Sequence, residues 1–106
     1  MGIPKITNSQ ELKAACSKEG VNLVVMEFYG ETCGPCIKIA PEVEQYAEEE
    51  KDVTFVKIEA DESPELAKEF GVEFTPTFVL MKRGAGIVDT VDGGIAAVKE
   101  AVNKHK

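Results

Sequence analysis

Cys33-Gly34-Pro35-Cys36 sets two thiols at a spacing that permits three kinds of chemistry. They can close a disulfide on themselves, hold a metal, or attack the disulfide of another molecule. Context decides among these. The preceding run Leu23-Val24-Val25-Met26-Glu27-Phe28-Tyr29 is apolar except for its acid and reads as a buried strand. The residues that follow carry helical spacing to about Glu49, with Cys36, Ile39, Ala40, Val43, Tyr46 and Ala47 separated by threes and fours. A thiol pair at a strand-to-helix junction sits at a helix N-terminus, where unpaired N–H groups and the macrodipole favour a thiolate. The stripe also separates the two thiols. Cys36 falls on the core-facing side and Cys33 at the helix tip, so Cys33 is expected to be the accessible nucleophile and Cys36 the shielded one. That asymmetry suits a two-step exchange, in which Cys33 forms a mixed disulfide with a substrate and Cys36 resolves it. Pro35 fixes the backbone of the turn and removes one N–H from it.

The competing chemistry is a zinc site, which takes four ligands. The other soft candidates are Cys16 and His105, and neither falls in a second paired-ligand motif. Redox exchange is therefore favoured over metal binding. Three cysteines are too few, and odd in number, for a disulfide framework. A CxxC with no export signal reads as chemistry of a reducing compartment. The net charge of −7 argues against nucleic acid, whose phosphates would be repelled. No apolar run approaches membrane-spanning length. At 106 residues and 43% hydrophobic content the chain is expected to form one domain with its own core.

Two charges interrupt otherwise apolar strands. Glu27 is costly if its strand is buried on both faces, and burial would raise its pKa and allow proton exchange with Cys36. The alternative is that Glu27 faces water, which a central strand disfavours. Lys57 is either the partner of Glu27 or a strand-end lysine reaching solvent. Thr75-Pro76-Thr77 reads either as an ordinary strand start or as a cis proline shaping a ledge for substrate. Cys16 lies on the apolar stripe of the first helix and reads as a core residue.

The elements that position these groups follow from periodicity and turn chemistry. Residues 4–7 are a short candidate strand. Asn8 caps a helix with Glu11 completing a capping box, Leu12, Ala15 and Cys16 form its stripe, and Gly20 ends it. The thiol-bearing helix contains Pro41, which should kink it. Residues 53–58 form the next strand, Ser63-Pro64 opens a helix faced by Leu66, Ala67 and Phe70, and Gly71 stops it. Residues 77–81 and 87–91 form a hairpin about a glycine-bearing turn. Ile95, Val98 and Val102 line a last helix, with Lys104 and Lys106 near its C-terminus. Strands alternating with helices, then a hairpin, give a three-layer α/β domain around one mixed sheet.

Taken together, these features resemble the thioredoxin family over nearly the whole chain. Residues Glu27 to Cys36, followed by Ile39-Ala40-Pro41, look like its active-site region. Val56-Lys57-Ile58-Glu59-Ala60-Asp61 is similar to its third strand. Phe70-Gly71-Val72 with Thr75-Pro76-Thr77 resembles the segment carrying its cis proline, and Gly93 matches the glycine before its last helix.

The resemblance implies the thioredoxin fold, an α/β/α sandwich with a central mixed five-stranded sheet and four helices, spanning residues 1–106. It implies a cytoplasmic, monomeric protein-disulfide reductase serving cell redox homeostasis. Such a protein carries no bound cofactor and is re-reduced by an NADPH-dependent thioredoxin reductase. Its partners would be disulfide-containing proteins such as peroxiredoxins, ribonucleotide reductase or methionine sulfoxide reductase. Cys33 takes the nucleophile's place and Cys36 the resolving one. Glu27 and Lys57 fall where the family places its buried acid and lysine. Pro76 would be cis, with the Thr75 backbone binding extended substrate, and Thr32, Gly34, Pro35 and Gly93 would complete the binding surface.

Three departures stand out. Glu27 occupies a position where the family usually has Asp, so its carboxylate reaches one methylene further. Thr32 and Tyr29 replace tryptophans, and Thr32 shrinks the apolar rim around Cys33. Two other roles on the same fold remain open at this point, a disulfide oxidase or isomerase and a redox-dependent binding module. Pro35 argues against the isomerase, because the resembling isomerases usually carry His there.

Overall fold

The computed structural model describes residues 2–106. Its elements are α1 (Ser9–Cys16), β1 (Leu23–Tyr29), α2 (Gly34–Glu49), β2 (Val53–Glu59), α3 (Pro64–Glu69), β3 (Thr77–Lys82), β4 (Gly86–Val91) and α4 (Ile95–His105). The strands form one sheet in the order β2-β1-β3-β4. β1 runs parallel to β2 and antiparallel to β3, and β3 and β4 make an antiparallel hairpin. The sheet is therefore mixed, as the alternation of strand and helix followed by a hairpin predicts.

β1 lies between two neighbours and under helices on both faces, which is why its sequence is nearly continuous in apolar residues. Successive side chains go to opposite faces. Leu23 and Val25 join Val53, Phe55, Phe78 and Leu80 beneath α2 and α4, which contribute Ile39, Val43, Val98 and Val102. Val24, Met26 and Phe28 join Val56, Ile58 and Val79 beneath α1 and α3, which contribute Leu12 and Leu66. Burying each such side chain stabilises the fold by about 1.5–3 kcal/mol.

Local signals set the ends of the helices. Asn8 caps α1 by accepting the Glu11 N–H at 2.8 Å. The Glu11 carboxylate does not close the expected box on Asn8. It accepts instead from the backbone N–H and hydroxyl of Thr7, at 2.7 and 2.8 Å. α1 ends at Cys16 with Ser17 as its cap, so Gly20 lies beyond the stop. Gly71, at φ +69°, provides the left-handed turn that releases the chain after α3. α2 continues through Pro41 to Glu49.

Two expectations are corrected. The sheet has four strands rather than five. Residues 4–7 make a single parallel bridge, Lys5 to Lys57. Pro4 has no N–H, so the segment offers only two ladder bonds, from the Lys57 N–H to the Pro4 carbonyl at 2.9 Å and from the Ile6 N–H to the Lys57 carbonyl at 2.8 Å. The chain then turns into the Asn8 cap. Ile3 and Ile6 still reach opposite core clusters, so the segment seals the β2 edge without extending the sheet. The second correction is Ala40, assigned by its spacing to the buried stripe of α2. It is exposed because a cavity lies opposite it.

Phe78 is 0% exposed and sits beside Glu27 in register, between β1 and β4. Phe78→Ala should destabilise the protein by about 3–5 kcal/mol, the usual range for emptying such a site. Denaturant unfolding at fixed pH measures this, and a loss well under 1 kcal/mol would contradict the packing described.

Candidate active site

Cys33 is the N-cap of α2, and the two cysteines are joined in a disulfide with their Cα atoms 5.2 Å apart. The Cys36 N–H donates to Cys33 Sγ at 3.2 Å. The helix tip thus turns a backbone donor onto the sulfur that would carry negative charge once reduced. Cys33 is half-buried and Cys36 is 4% exposed, the division anticipated from the stripe. Attack from outside can reach only the first of them.

The Thr75–Pro76 bond is cis, and the Thr75 carbonyl oxygen lies 3.6 Å from Cys33 Sγ. Gly30 completes the contact from the end of β1. A Cβ placed there would stand 3.4 Å from Cys33 Cβ and 3.6 Å from Thr75 Oγ1. A groove of about 350 Å³ runs past the cis proline, lined by Pro35, Ile39, Pro76, Gly93, Gly94 and Ile95. Gly93 suits this close approach, since a Cβ there would stand a tight 3.0 Å from Ala97 Cβ. On the other side of Thr75 a second groove of about 560 Å³ is lined by Ala60, Val72 and Phe74, among others. Gly34 and Thr32 are exposed at the helix tip.

Beneath the disulfide the period of β1 carries Glu27 and Tyr29 to the same face as Leu23 and Val25. Lys57 is the register partner of Glu27 on β2. From α2, Cys36, Ala40 and Glu44 recur at intervals of four and so run down one line of the helix. These two sets enclose a cavity of about 290 Å³, lined by Glu27, Tyr29, Cys36, Ala40, Glu44 and Lys57 together with Gly30, Glu31 and Ile37. The cavity brings the buried acid and the buried cysteine to one space. Glu27 is 6% exposed, and its carboxylate accepts no hydrogen bond among the described residues. Burial pushes its carboxyl up to about 7, with Lys57 pulling it down and Glu44 pushing it further up.

Of the residues singled out from the sequence, Glu27, Cys36 and Lys57 line the cavity beneath the disulfide and Pro35, Pro76 and Gly93 line the groove past the cis proline, whereas Cys16 packs against the α1 and α3 side of the core and His105 lies 3.1 Å from Asp89. Three neighbours were not anticipated. Glu44 is announced by its spacing of eight from Cys36, a signal hidden by the abundance of acids in this helix. Phe74 is 57% exposed next to Thr75, and its sequence context of mixed polar residues carried no cue to its exposure. Ile37, 63% exposed, flanks the cysteines on the helix.

The family model for thioredoxin matches residues 4–104. Thioredoxin-1 of Schizosaccharomyces pombe is 34% identical over 103 residues, covering 97% of this chain and 98% of the relative. The X-ray structure of Fasciola hepatica thioredoxin superimposes with a TM-score of 0.91 at 33% identity, covering 98% of this chain and all of that one. A third similar chain, with a TM-score of 0.86 and 31% identity over 96% of this chain and 94% of its own, comes from work on the thiol-resolving mechanism of a yeast mitochondrial 1-Cys peroxiredoxin via glutathione and thioredoxin systems.

The raised carboxyl makes stability depend on pH. Between the ordinary 4.5 and about 7 the folded protein keeps a proton that the unfolded chain has lost. The associated stability is full below 4.5 and is lost as pH rises through about 7, amounting to about 3 kcal/mol. Glu27→Gln should therefore flatten this slope and raise stability at about pH 8 by that order. Urea midpoints of the oxidised protein across this pH range provide the check, and an unchanged slope in the variant would place the proton elsewhere.

Proposed function

The chain belongs to the thioredoxin family and is a thiol–disulfide oxidoreductase reducing protein disulfides, and from that premise we propose the role of each residue around Cys33 and Cys36. It works through its redox-active disulfide with no bound cofactor, and NADPH acts through a reductase. One observation above all supports the residue roles. The disulfide caps a helix with its outer sulfur accessible and facing a backbone N–H, while its inner cysteine is buried.

In the reduced protein the Cys33 thiolate attacks one sulfur of a substrate disulfide. That bond breaks, a new bond joins Cys33 to the substrate, and the departing substrate thiolate takes up a proton. The Cys36 thiol then passes its proton into the cavity toward the Glu27 carboxylate and attacks Cys33 Sγ. The mixed disulfide breaks, the second substrate sulfur leaves as a thiolate and takes up a proton, and Cys33–Cys36 is oxidised as it stands in this structure. Two electrons pass to the substrate in each cycle. An acid near 7 suits this exchange, because both of its protonation states are populated at working pH.

Extended substrate lies in the groove beside cis-Pro76, its backbone pairing with Thr75 and its side chains meeting Pro35, Gly34, Thr32 and Gly93. Phe74 supplies the apolar contact that Thr32 does not. Lys57 brings a positive charge to the cavity wall and offsets part of the effect of burial on Glu27. The proposed partners are an NADPH-dependent thioredoxin reductase and disulfide proteins, peroxiredoxins first among them, with ribonucleotide reductase and methionine sulfoxide reductase as further candidates. The setting proposed is the cytoplasm, with residues 1–106 acting as a single monomeric domain.

Turbidity of insulin reduced in the presence of dithiothreitol tests the thiol roles. Cys33→Ser should abolish the activity, whereas Cys36→Ser should accumulate mixed disulfides on Cys33. Full activity in Cys33→Ser would refute the assignment. Phe74→Ala should lower kcat/KM for a protein disulfide by about fivefold, roughly 1 kcal/mol, through KM. Its rate with a small aromatic disulfide should stay near that of the parent, and an equal loss with both substrates would exclude a docking role.

A further inference from the structure

Lys57 stands across from Glu27 in the sheet, yet it is not paired with it. Its Nζ lies 4.0 Å from Glu44 Oε2 and 5.7 Å from the centroid of the Tyr29 ring. Glu27 forms no ion pair within that range among the described residues. An ammonium in register with a buried carboxylate would ordinarily turn toward it, since their attraction grows as water is excluded. Here the ammonium's partner is Glu44 instead, and both side chains are about one-third exposed where they line the cavity.

Both members of the outer pair are held by the same piece of chain. The Ile3 N–H donates to the Glu44 carboxylate, 3.3 and 3.4 Å from its two oxygens. Pro4 and Ile6 grip the Lys57 backbone on either side. The segment that fails to become a fifth strand therefore fixes the Lys57 main chain and the Glu44 side chain at once.

We propose that Glu44 is a positioning residue of this site: anchored by the N-terminal segment, its carboxylate holds the Lys57 ammonium off Glu27 and leaves the buried acid without a counter-ion. The proton affinity of Glu27 is then set by burial and two charged groups. Burial and Glu44 raise it, and Lys57, held at a distance, lowers it only in part. The groups facing Glu27 are Lys57 from β2, Cys36 and Glu44 from α2, and Tyr29 with Glu31 from the end of its own strand, while β3 brings only Phe78. The consequence for turnover rests on the proposed proton exchange between Glu27 and Cys36. The electrostatic arrangement stands apart from it.

Carbon-detected NMR titration of the Glu27 carboxyl in the oxidised protein reads the effect directly. Glu44→Gln keeps an acceptor for the Ile3 N–H and removes the charge. It should free Lys57 toward Glu27 and lower the Glu27 midpoint by about one pH unit. In a Lys57→Gln background the same substitution should move the midpoint by clearly less, because its indirect route is gone. An unmoved or raised midpoint in Glu44→Gln overturns the proposal, as does a shift of equal size in both backgrounds. A role for Glu44 limited to anchoring Ile3 would change the unfolding midpoint and not the titration. Whether Glu27 exchanges protons with Cys36 is read separately, from the pH dependence of mixed-disulfide resolution in Glu27→Gln, so either idea can fail alone.

Discussion

The burial of β1 governs the rest of the molecule. It is paired on both edges and covered on both faces, so its backbone groups are satisfied by the sheet and its side chains must be apolar. One carboxyl breaks this rule. Glu27 is buried in this strand and lines the cavity beneath the disulfide, with the small side chain of Ala40 on the helix side of the same space. Desolvation is the first cause of the raised Glu27 affinity for its proton. Other polar groups near the disulfide are placed in relation to this one.

The same strand delivers the chain to the tip of α2, where the second constraint operates. A helix N-terminus has N–H groups without partners, and here one of them is satisfied by Cys33 sulfur. The geometry divides labour between thiols of identical chemistry. One lies 3.6 Å from the Thr75 carbonyl at the surface, and the other lines the cavity that holds the acid. The groove past Pro35 is shaped by backbone features, cis-Pro76 and Gly93. The substrate ledge proposed there is built from backbone rather than from one particular side chain, an arrangement that would suit a carrier serving several disulfide proteins. The exposed Phe74 and Ile37 bring the large apolar surface near the cysteines, in a chain that holds Thr32 just before Cys33.

Much of this was legible from residue order, for reasons that differ by element. The motif and its strand-to-helix context stood out because the change from continuous apolar run to helical spacing happens at Cys33. The helices α2 and α4 were legible because their stripes repeat over several turns. The fifth strand was misjudged because residues 4–7 have strand-like composition, yet a proline at their start leaves too few donors for a ladder. Ala40 was misplaced because spacing reports which side of a helix faces the core, not whether the core fills the space there. The Glu11 side chain was given the right helix and the wrong partner, since Thr7 offers it two donors at once.

Sequence alone determined the chemistry available to this protein: two thiols with unequal positions on a helix, a carboxyl within a buried strand, and a proline before the next strand that pairs beside it. Those are local or periodic properties, written into neighbours a few residues apart. Only the tertiary structure decided which charges meet. Residues 3, 27, 44 and 57 come from four separate segments, and nothing in their order says that Lys57 turns to Glu44 instead of Glu27. Electrostatic pairing depends on distances of a few ångströms across the fold and on the water left between the groups. Such quantities arise only once the segments are packed.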